Sequence, residues 1–177
     1  MPTQLRLITC LLSLVLLTNL TSAIAETVRV TDWLELMPKA DQKALAALPP
    51  INHIPIADFD EEGNITFDRP PVFSSSNTVS ELANKNIKIA GFVVPVEFTD
   101  DMLITEFFLV PYFGACIHVP PPPPNQIIYV KYKKGLETDI IADPFLVSGK
   151  LLIENINHDI AQSSYSMLAN KVEVYKE

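Results

Sequence analysis

The chain has 177 residues, of which 13 are Lys or Arg and 21 are Asp or Glu, so its formal net charge at pH 7 is −8. An acidic chain without basic clusters repels phosphate backbones, which argues against nucleic acid as a partner. At roughly 100 to 200 residues per domain, this length fits one domain with a core of its own.

The N-terminus has the layout of a secretory signal peptide. A short start with one positive charge is followed by the apolar run LITCLLSLVLLTNL, and the small residues Ala23 and Ala25 precede Glu26. A membrane-spanning helix would need about 20 apolar residues. We therefore expect residues 1–25 to be a signal peptide that is cleaved near Ala25. The mature protein is then expected to be exported and to keep no stable membrane span.

Residues 26–80 are predicted to form a helical extension followed by an extended arm. Between residues 28 and 50, apolar residues recur at spacings of three and four, which is typical of helices, and Pro38 divides the pattern into two short helices. Residues 51–77 are rich in Pro, Ser and acidic residues and have no sustained period. This composition favours an extended arm with one hairpin around Gly63 and Asn64.

Residues 81–177 are predicted to form a β-barrel domain. Five stretches are rich in Val, Ile, Phe and Tyr: 87–97, 106–112, 127–132, 144–153 and 165–175. Five such strands with no strong helix between them suit a small closed barrel or a sandwich, and the barrel is favoured because closure removes exposed sheet edges. Gly91 and Gly149 lie within strands, where a barrel needs sharp coiling. The predicted fold class is mainly β: a small OB-like barrel with a short N-terminal helical extension.

Two candidate metal ligands, Cys116 and His118, lie in the segment GACIHVPPPPPNQ, residues 114–126. In a strand, side chains at i and i+2 point to the same face, so the thiolate and the imidazole could bind one ion. These ligands suit zinc or copper, with zinc favoured, but a complete site needs at least one further protein ligand. Glu97 and His53 are the predicted additional ligands, and His158 is a further candidate.

Other interpretations of this segment remain open. Cys116 could pack as a small buried hydrophobic residue while His118 bonds to loop backbone. A thiol nucleophile with His118 as its base and Asn125 as the orienting group is a third option, although no catalytic cysteine signature is matched. No complete triad, acid and base pair or phosphate-binding loop is visible, so we do not predict an enzyme.

The five consecutive prolines, residues 120–124, favour a polyproline II rod because they carry no backbone N–H. Such a rod could dock into an aromatic groove on a partner. Alternatively, it is a rigid connection that delivers Asn125 and Gln126 to the start of the third strand. The second interpretation is favoured, because a stiff connection beside Cys116 and His118 would also hold those side chains in place.

Several stretches together carry a resemblance to a known family. They are GFVVPVEF (91–98), FFLVPYFGACIHVPPPPPNQIIYV (107–130), FLVSGKL (145–151) and YSMLANKVEV (165–174), with DWLELMP (32–38) near the N-terminus. They are similar to the bacterial exported family catalogued as the domain of unknown function numbered 3299. The resemblance covers nearly all of the predicted mature chain.

Membership in this family implies a periplasmic protein or lipoprotein with an accessory role beside envelope ABC transporters of the macrolide-exporter type, some of them zinc-responsive. Cys10 lies inside the apolar run without a lipobox, so a soluble form is implied here. The leading hypothesis is a periplasmic accessory protein that binds zinc through Cys116 and His118 and is associated with such a transporter. The alternative is a non-catalytic interaction module whose rigid Pro-rich loop docks on a transporter or another periplasmic protein.

Overall fold

The structure is a computed structural model that describes residues 29–48, 58–59, 65–66, 70–115, 122–137 and 142–176. Strands and one α-helix are its regular elements, and their bounds are β1 Arg29–Val30, α1 Lys39–Ala46, β2 Asp58–Phe59, β3 Ile65–Thr66, β4 Asn86–Phe98, β5 Ile104–Val110, β6 Ile128–Leu136, β7 Phe145–Asn157 and β8 Gln162–Val174. Short 3₁₀ turns span Trp33–Leu36, Pro71–Ser74, Ser80–Leu82 and Pro124–Gln126. Within the described residues, no helix combines the length and the apolar content that crossing a bilayer requires.

Five of the strands close into a barrel. They are hydrogen-bonded in the order β4, β5, β6, β8 and β7, and β7 pairs with β4 again. Every pair in this ring is antiparallel except β6 and β8, which are parallel. The predicted small five-stranded barrel with a short N-terminal helical extension is therefore confirmed.

The first barrel strand, β4, changes partner at Gly91. Residues 86–91 pair with β7, and residues 92–98 pair with β5 through a ladder whose register shifts beyond Pro95. A Cβ atom at position 91 would lie 2.7 Å from the carbonyl oxygen of Val110 and 2.9 Å from the ring of Trp33. Only glycine fits where the backbone of Val110 passes so close. This close approach lets β4 bend and pair first with β7 and then with β5.

The barrel interior is filled by apolar side chains that alternate along the strands. In β4, half-buried and buried residues alternate from position 86 to position 94, and the buried ones include Ile87, Ile89 and Val93. Phe107 of β5 is fully buried, and burying a side chain of this size contributes about 2 to 3 kcal/mol. This alternation has the period of two expected for a strand with one face in the core.

The N-terminal segment closes one end of the barrel. The Trp33 indole N–H donates to the carbonyl oxygen of Ala90 at 2.6 Å. The Tyr165 hydroxyl donates to the carbonyl oxygen of Leu36 at 2.9 Å and accepts from the backbone N–H of Val79 at 2.7 Å. The turn with Trp33 and Leu36 is thus bonded to two barrel strands.

The N-terminal helical pattern divides at Pro38, as the sequence indicates. Met37 ends the 3₁₀ turn in an extended conformation, which is the conformation that a following proline favours, and α1 begins at Lys39. Further along, Phe59 of β2 pairs antiparallel with Ile65 of β3. This antiparallel pairing agrees with the hairpin expected around Gly63 and Asn64, which themselves lie outside the described residues.

A polar cluster, buried at Asp41 and Asn125, joins α1 to the end of the Pro-rich segment. Asp41, Ser75, Asn77 and Asn125 form this cluster. The amide nitrogen of Asn125 lies 3.1 Å from an Asp41 carboxylate oxygen and 3.0 Å from the backbone oxygen of Asn77. The Ser75 hydroxyl donates to the same Asp41 oxygen at 2.5 Å. Asn125 is fully buried, so this hydrogen bonding takes the place of water and fixes three chain segments together.

Candidate functional site

The outward side chains of three adjacent barrel strands form one continuous surface, which we call the outer face. It consists of Phe92, Val94, Val96 and Glu97 from β4, Glu106, Phe108 and Val110 from β5, and Ile127, Tyr129 and Lys131 at or next to β6. Cross-strand register orders them in rows. One row contains Phe92 and Val110, the next contains Val94, Phe108 and Tyr129, and the last contains Glu97, Glu106 and Lys131. The outer face is therefore apolar at one end and charged at the other.

The apolar rows form a second hydrophobic cluster outside the barrel. Phe108 and Val110 are fully buried there, and Ala115 of the following loop is buried with them. Ile156 and Ala161, from the two sides of the turn between β7 and β8, pack on this cluster. It is thus covered in part by two loops, while the β4 side chains of these rows remain half-buried.

Large apolar side chains are exposed on the loops that border the outer face. Phe113 is 60% exposed although its ring meets the edge of Phe92, with 5.9 Å between the ring centroids. Ile160, in the turn between β7 and β8, is 44% exposed, and Tyr112 is also exposed. Exposed apolar groups that border an apolar surface are typical of interaction sites.

The charged row contains a phenol bonded to a carboxylate. The Tyr129 hydroxyl donates to the Glu106 carboxylate, and the Lys131 ammonium lies 3.5 Å from the other oxygen of that carboxylate. Burial raises the pKa of Tyr129 first, and the hydrogen bond to Glu106 and the negative charges of Glu106 and Glu97 raise it further. Tyr129 therefore stays a neutral donor at neutral pH, whereas Glu97 is exposed beside it.

Stability is expected to fall as the pH rises above about 10, where a free tyrosine titrates. The pKa of Tyr129 is raised as described above, and burial raises the pKa of Tyr165 against the opposing hydrogen bond from Val79. The unfolded chain then releases these protons first, so the stabilisation is present below that pH and is lost above it. Urea unfolding measures the free energy of unfolding between about pH 8 and pH 11. This free energy should fall more steeply with pH for the parent than for Tyr129→Phe. Parallel declines would contradict this role of Tyr129.

The turn between β4 and β5 adds exposed carboxylates to the charged end. Asp100 and Asp101 are exposed there, next to Phe98 and Met102, which are 48% and 71% exposed. Met102 has a φ of 62°, a left-handed backbone conformation that costs about 1 kcal/mol or more for a side chain of this kind. Met102 is thus an exposed apolar residue in a strained turn beside two carboxylates. We therefore include the turn between β4 and β5 in the candidate functional site, next to the charged row of the outer face.

The predicted metal ligands are only partly within the described residues. Cys116, His118 and His53 lie outside them, so the ligand set stays a prediction. Glu97 is described and lies on the outer face next to Glu106, without a third His, Cys, Asp or Glu among the described residues to complete a metal-binding group.

His158, the further candidate ligand, contacts an aromatic ring and a backbone N–H group. Its ring lies 5.9 Å from the ring of Phe108, and its Nδ1 accepts a hydrogen bond from the backbone N–H of Ile160 at 3.2 Å. In the neutral ring this bond leaves the proton on Nε2, which is then a donor and not a ligand. In this arrangement His158 is better suited to cover the apolar cluster than to bind a metal.

The Pro-rich loop is fixed at both ends. Ala115 is buried in the outer cluster at the start, and at the end Gln126 donates to the carbonyl oxygen of Trp33 at 2.8 Å. Pro122 and Pro123 are buried. Their burial favours a rigid connection at this end of the proline run. Pro120 and Pro121 lie outside the described residues, so docking by the proline rod stays a prediction.

Sequence reasoning did not single out Phe113, Glu106 and Tyr129. The signal that could have revealed them lies in the nearly continuous apolar runs of the first three barrel strands. A strand that is apolar at both inward and outward positions is covered on both faces. Such runs in a small barrel therefore indicate a second apolar cluster outside it.

Comparison with known proteins gives a family and a solved structure. The family model described as "Protein of unknown function (DUF3299)" matches residues 33–174. The crystal structure of a DUF3299 family protein from Pseudomonas aeruginosa PAO1 is similar, with a TM-score of 0.64 and 38% sequence identity over 85% of this chain and 98% of that one. No curated protein matches the chain. The resemblance seen in the sequence is confirmed: the chain belongs to the DUF3299 family.

Proposed function

We propose that this protein is a non-catalytic interaction module of the periplasm that docks on an envelope partner through its outer face. The observation that carries the proposal is the exposure of Phe113 and Ile160 beside the half-buried β4 side chains of that face. Aromatic residues are enriched at protein interfaces, and large exposed apolar side chains beside an apolar surface are typical of interaction sites.

The anchoring of the Pro-rich loop supports this proposal. Ala115 and Gln126, the described residues on either side of this segment, are buried, so they need no further ordering when a partner binds beside them. Tyr112 and Phe113 at its start are exposed aromatic residues, and aromatic residues are enriched among those that dominate binding energy. In this arrangement the aromatic start of the loop contacts the partner, while Pro122 and Pro123 near its other end are buried.

The proposed partner is a component of an envelope ABC transporter, as the family resemblance implies. Phe113→Ser is expected to weaken capture of that component from envelope membranes by at least about tenfold, a loss of about 1.4 kcal/mol, because it removes an exposed aromatic contact. Tyr175→Ser is the matched control, since Tyr175 is also an exposed aromatic residue but lies beyond the end of β8. Quantitative mass spectrometry of the captured proteins measures the difference. Equal capture by both variants would contradict docking through the outer face.

A transition-metal site is a second candidate function, with zinc as the favoured ion. The observation that favours it is the position of Ala115, which directly precedes Cys116 and is buried on the face that carries Glu97 and Glu106. Cys116 and His118 are the proposed primary ligands, with Glu97 and His53 as further ligands. In this form the module would pass zinc to or from the transporter.

Zinc titration of the fully reduced protein by calorimetry tests this second candidate. We expect one-to-one binding that is lost in Cys116→Ser and that weakens as the pH falls, because protons compete for the thiolate and the imidazole. Cobalt substitution should give a sulfur-to-cobalt charge-transfer band in the parent only. A Cys116→Ser protein that binds zinc as tightly as the parent would exclude the thiolate ligand.

A further inference from the structure

Charge is distributed unevenly along the outer face. Its last row carries Glu97 and Glu106, and the adjoining turn carries Asp100 and Asp101. These four residues form the acidic end of the face.

The basic side chains near the acidic end lie on β6, across β5 from Glu97. Lys131 and the exposed Lys133 belong to β6. The ammonium of Lys131 forms an ion pair with the Glu106 carboxylate, with 3.5 Å between the nitrogen and the nearest oxygen. Glu97, on the β4 side, has no cationic partner among the described residues. The β4 side of the acidic end therefore carries uncompensated negative charge, which is part of the net charge of −8 of the whole chain.

Apolar surface continues directly into this acidic end. Val94 and Val96 are half-buried and lead along β4 from Phe92 to Glu97. Five residue steps at about 3.3 Å each give a strip roughly 17 Å long. An extended segment of about six residues would span it, with its apolar residues over the valines and its polar end over the carboxylates.

We propose that the outer face recognises a partner segment that is both apolar and basic, with Lys or Arg placed to meet Glu97 and Asp100. This inference rests on the docking function proposed above and specifies the chemistry of the partner. Opposite charges across an interface accelerate association and exclude partners of the wrong sign. A phosphate-rich partner such as RNA or DNA would be repelled by the same carboxylates.

Three labelled peptides of about ten residues test the proposal. They share one set of apolar residues and carry Arg, Gln or Glu at the remaining positions. Fluorescence anisotropy against the purified protein is expected to show binding of the Arg peptide at least about tenfold tighter than that of the Gln peptide, and still weaker binding of the Glu peptide. The double variant Glu97→Gln with Asp100→Asn should reduce the preference for Arg over Gln to less than about threefold.

The control variant removes the same number of charges elsewhere. Glu81→Gln with Asp143→Asn changes two exposed carboxylates outside the outer face and should leave the preference for Arg unchanged. An equal loss in this control would show that net charge alone attracts the peptide, and it would overturn the proposal.

The remaining outcomes separate this inference from the docking function. If all three peptides bind equally and Phe113→Ser weakens all of them, the face docks apolar segments and the basic specificity is wrong. If the Arg peptide binds but neither Phe113→Ser nor the double variant at Glu97 and Asp100 affects it, the outer face is not the site and both proposals fail. Absence of binding by all three peptides overturns the basic specificity.

Discussion

Gly149→Ala is expected to lower the free energy of unfolding by about 3 kcal/mol, the upper part of the range for overpacking a well-packed region. A Cβ atom at position 149 would collide with the carbonyl oxygen of Leu168 and lie 2.7 Å from the Cα atom of Ala169. Both atoms belong to the backbone of β8, so no side-chain rotation can relieve the contact. The two strands would have to separate where their register already shifts, between Ser148 and Gly149.

Urea unfolding followed by the fluorescence of Trp33, the single tryptophan, measures this loss. Gly114→Ala is the matched control. Gly114 has a φ of 79°, and apart from its two chain neighbours no atom of the described residues lies within 4 Å of the position of a Cβ, so we expect the substitution to cost backbone strain of about 1 kcal/mol. If Gly149→Ala proves no more destabilising than Gly114→Ala, the close approach of β7 and β8 at this glycine is wrong.

The number of barrel strands was predictable because each strand is an apolar run bounded by turns. Gly91 and Gly149 were also predictable as coiling points, since glycine inside a strand weakens it unless another backbone passes close by. The bulges beyond Pro95 and the parallel pairing of β6 with β8 were not predictable. They depend on how five strands close around one core, and the period of a single strand does not contain that information.

The candidate site was less predictable than the fold. Glu97 stood out in the sequence because an acid ended an apolar strand, and the structure places it on the outer face. Its neighbours Glu106 and Tyr129 come from two other strands and reach it only through cross-strand register. Register is set by the assembled sheet, so a row of side chains across three strands cannot be derived from spacing along the chain.

Asn125 shows how a sequence motif can carry structure instead of chemistry. Its position after the prolines allowed a role as the orienting group of a catalytic pair. In the structure its amide bonds to Asp41, Ser75 and Asn77 within a buried cluster. This position favours a structural role for Asn125 in the loop that precedes β6.

Asn125→Ala is expected to lower the free energy of unfolding by about 2 kcal/mol, because it removes a hydrogen-bond donor from a buried carboxylate. Asp41 is only 9% exposed, so water cannot fully replace the lost amide. Asp41→Ala should cost a similar amount, since it leaves the donors of Ser75 and Asn125 without their shared acceptor. The measurement is urea unfolding of both single variants and of the double variant.

The double variant decides whether the cluster acts as a unit. Its loss should be smaller than the sum of the two single losses by about 1 kcal/mol, because each single change already breaks the same contact. Gln126→Ala is the control: Gln126 is also buried but bonds to Trp33, so its loss of about 1 kcal/mol should add to that of Asp41→Ala. Additive losses for Asn125 and Asp41 would show that the two side chains do not stabilise each other. A coupled pair would mean that α1 and the end of the Pro-rich loop stabilise each other through this contact.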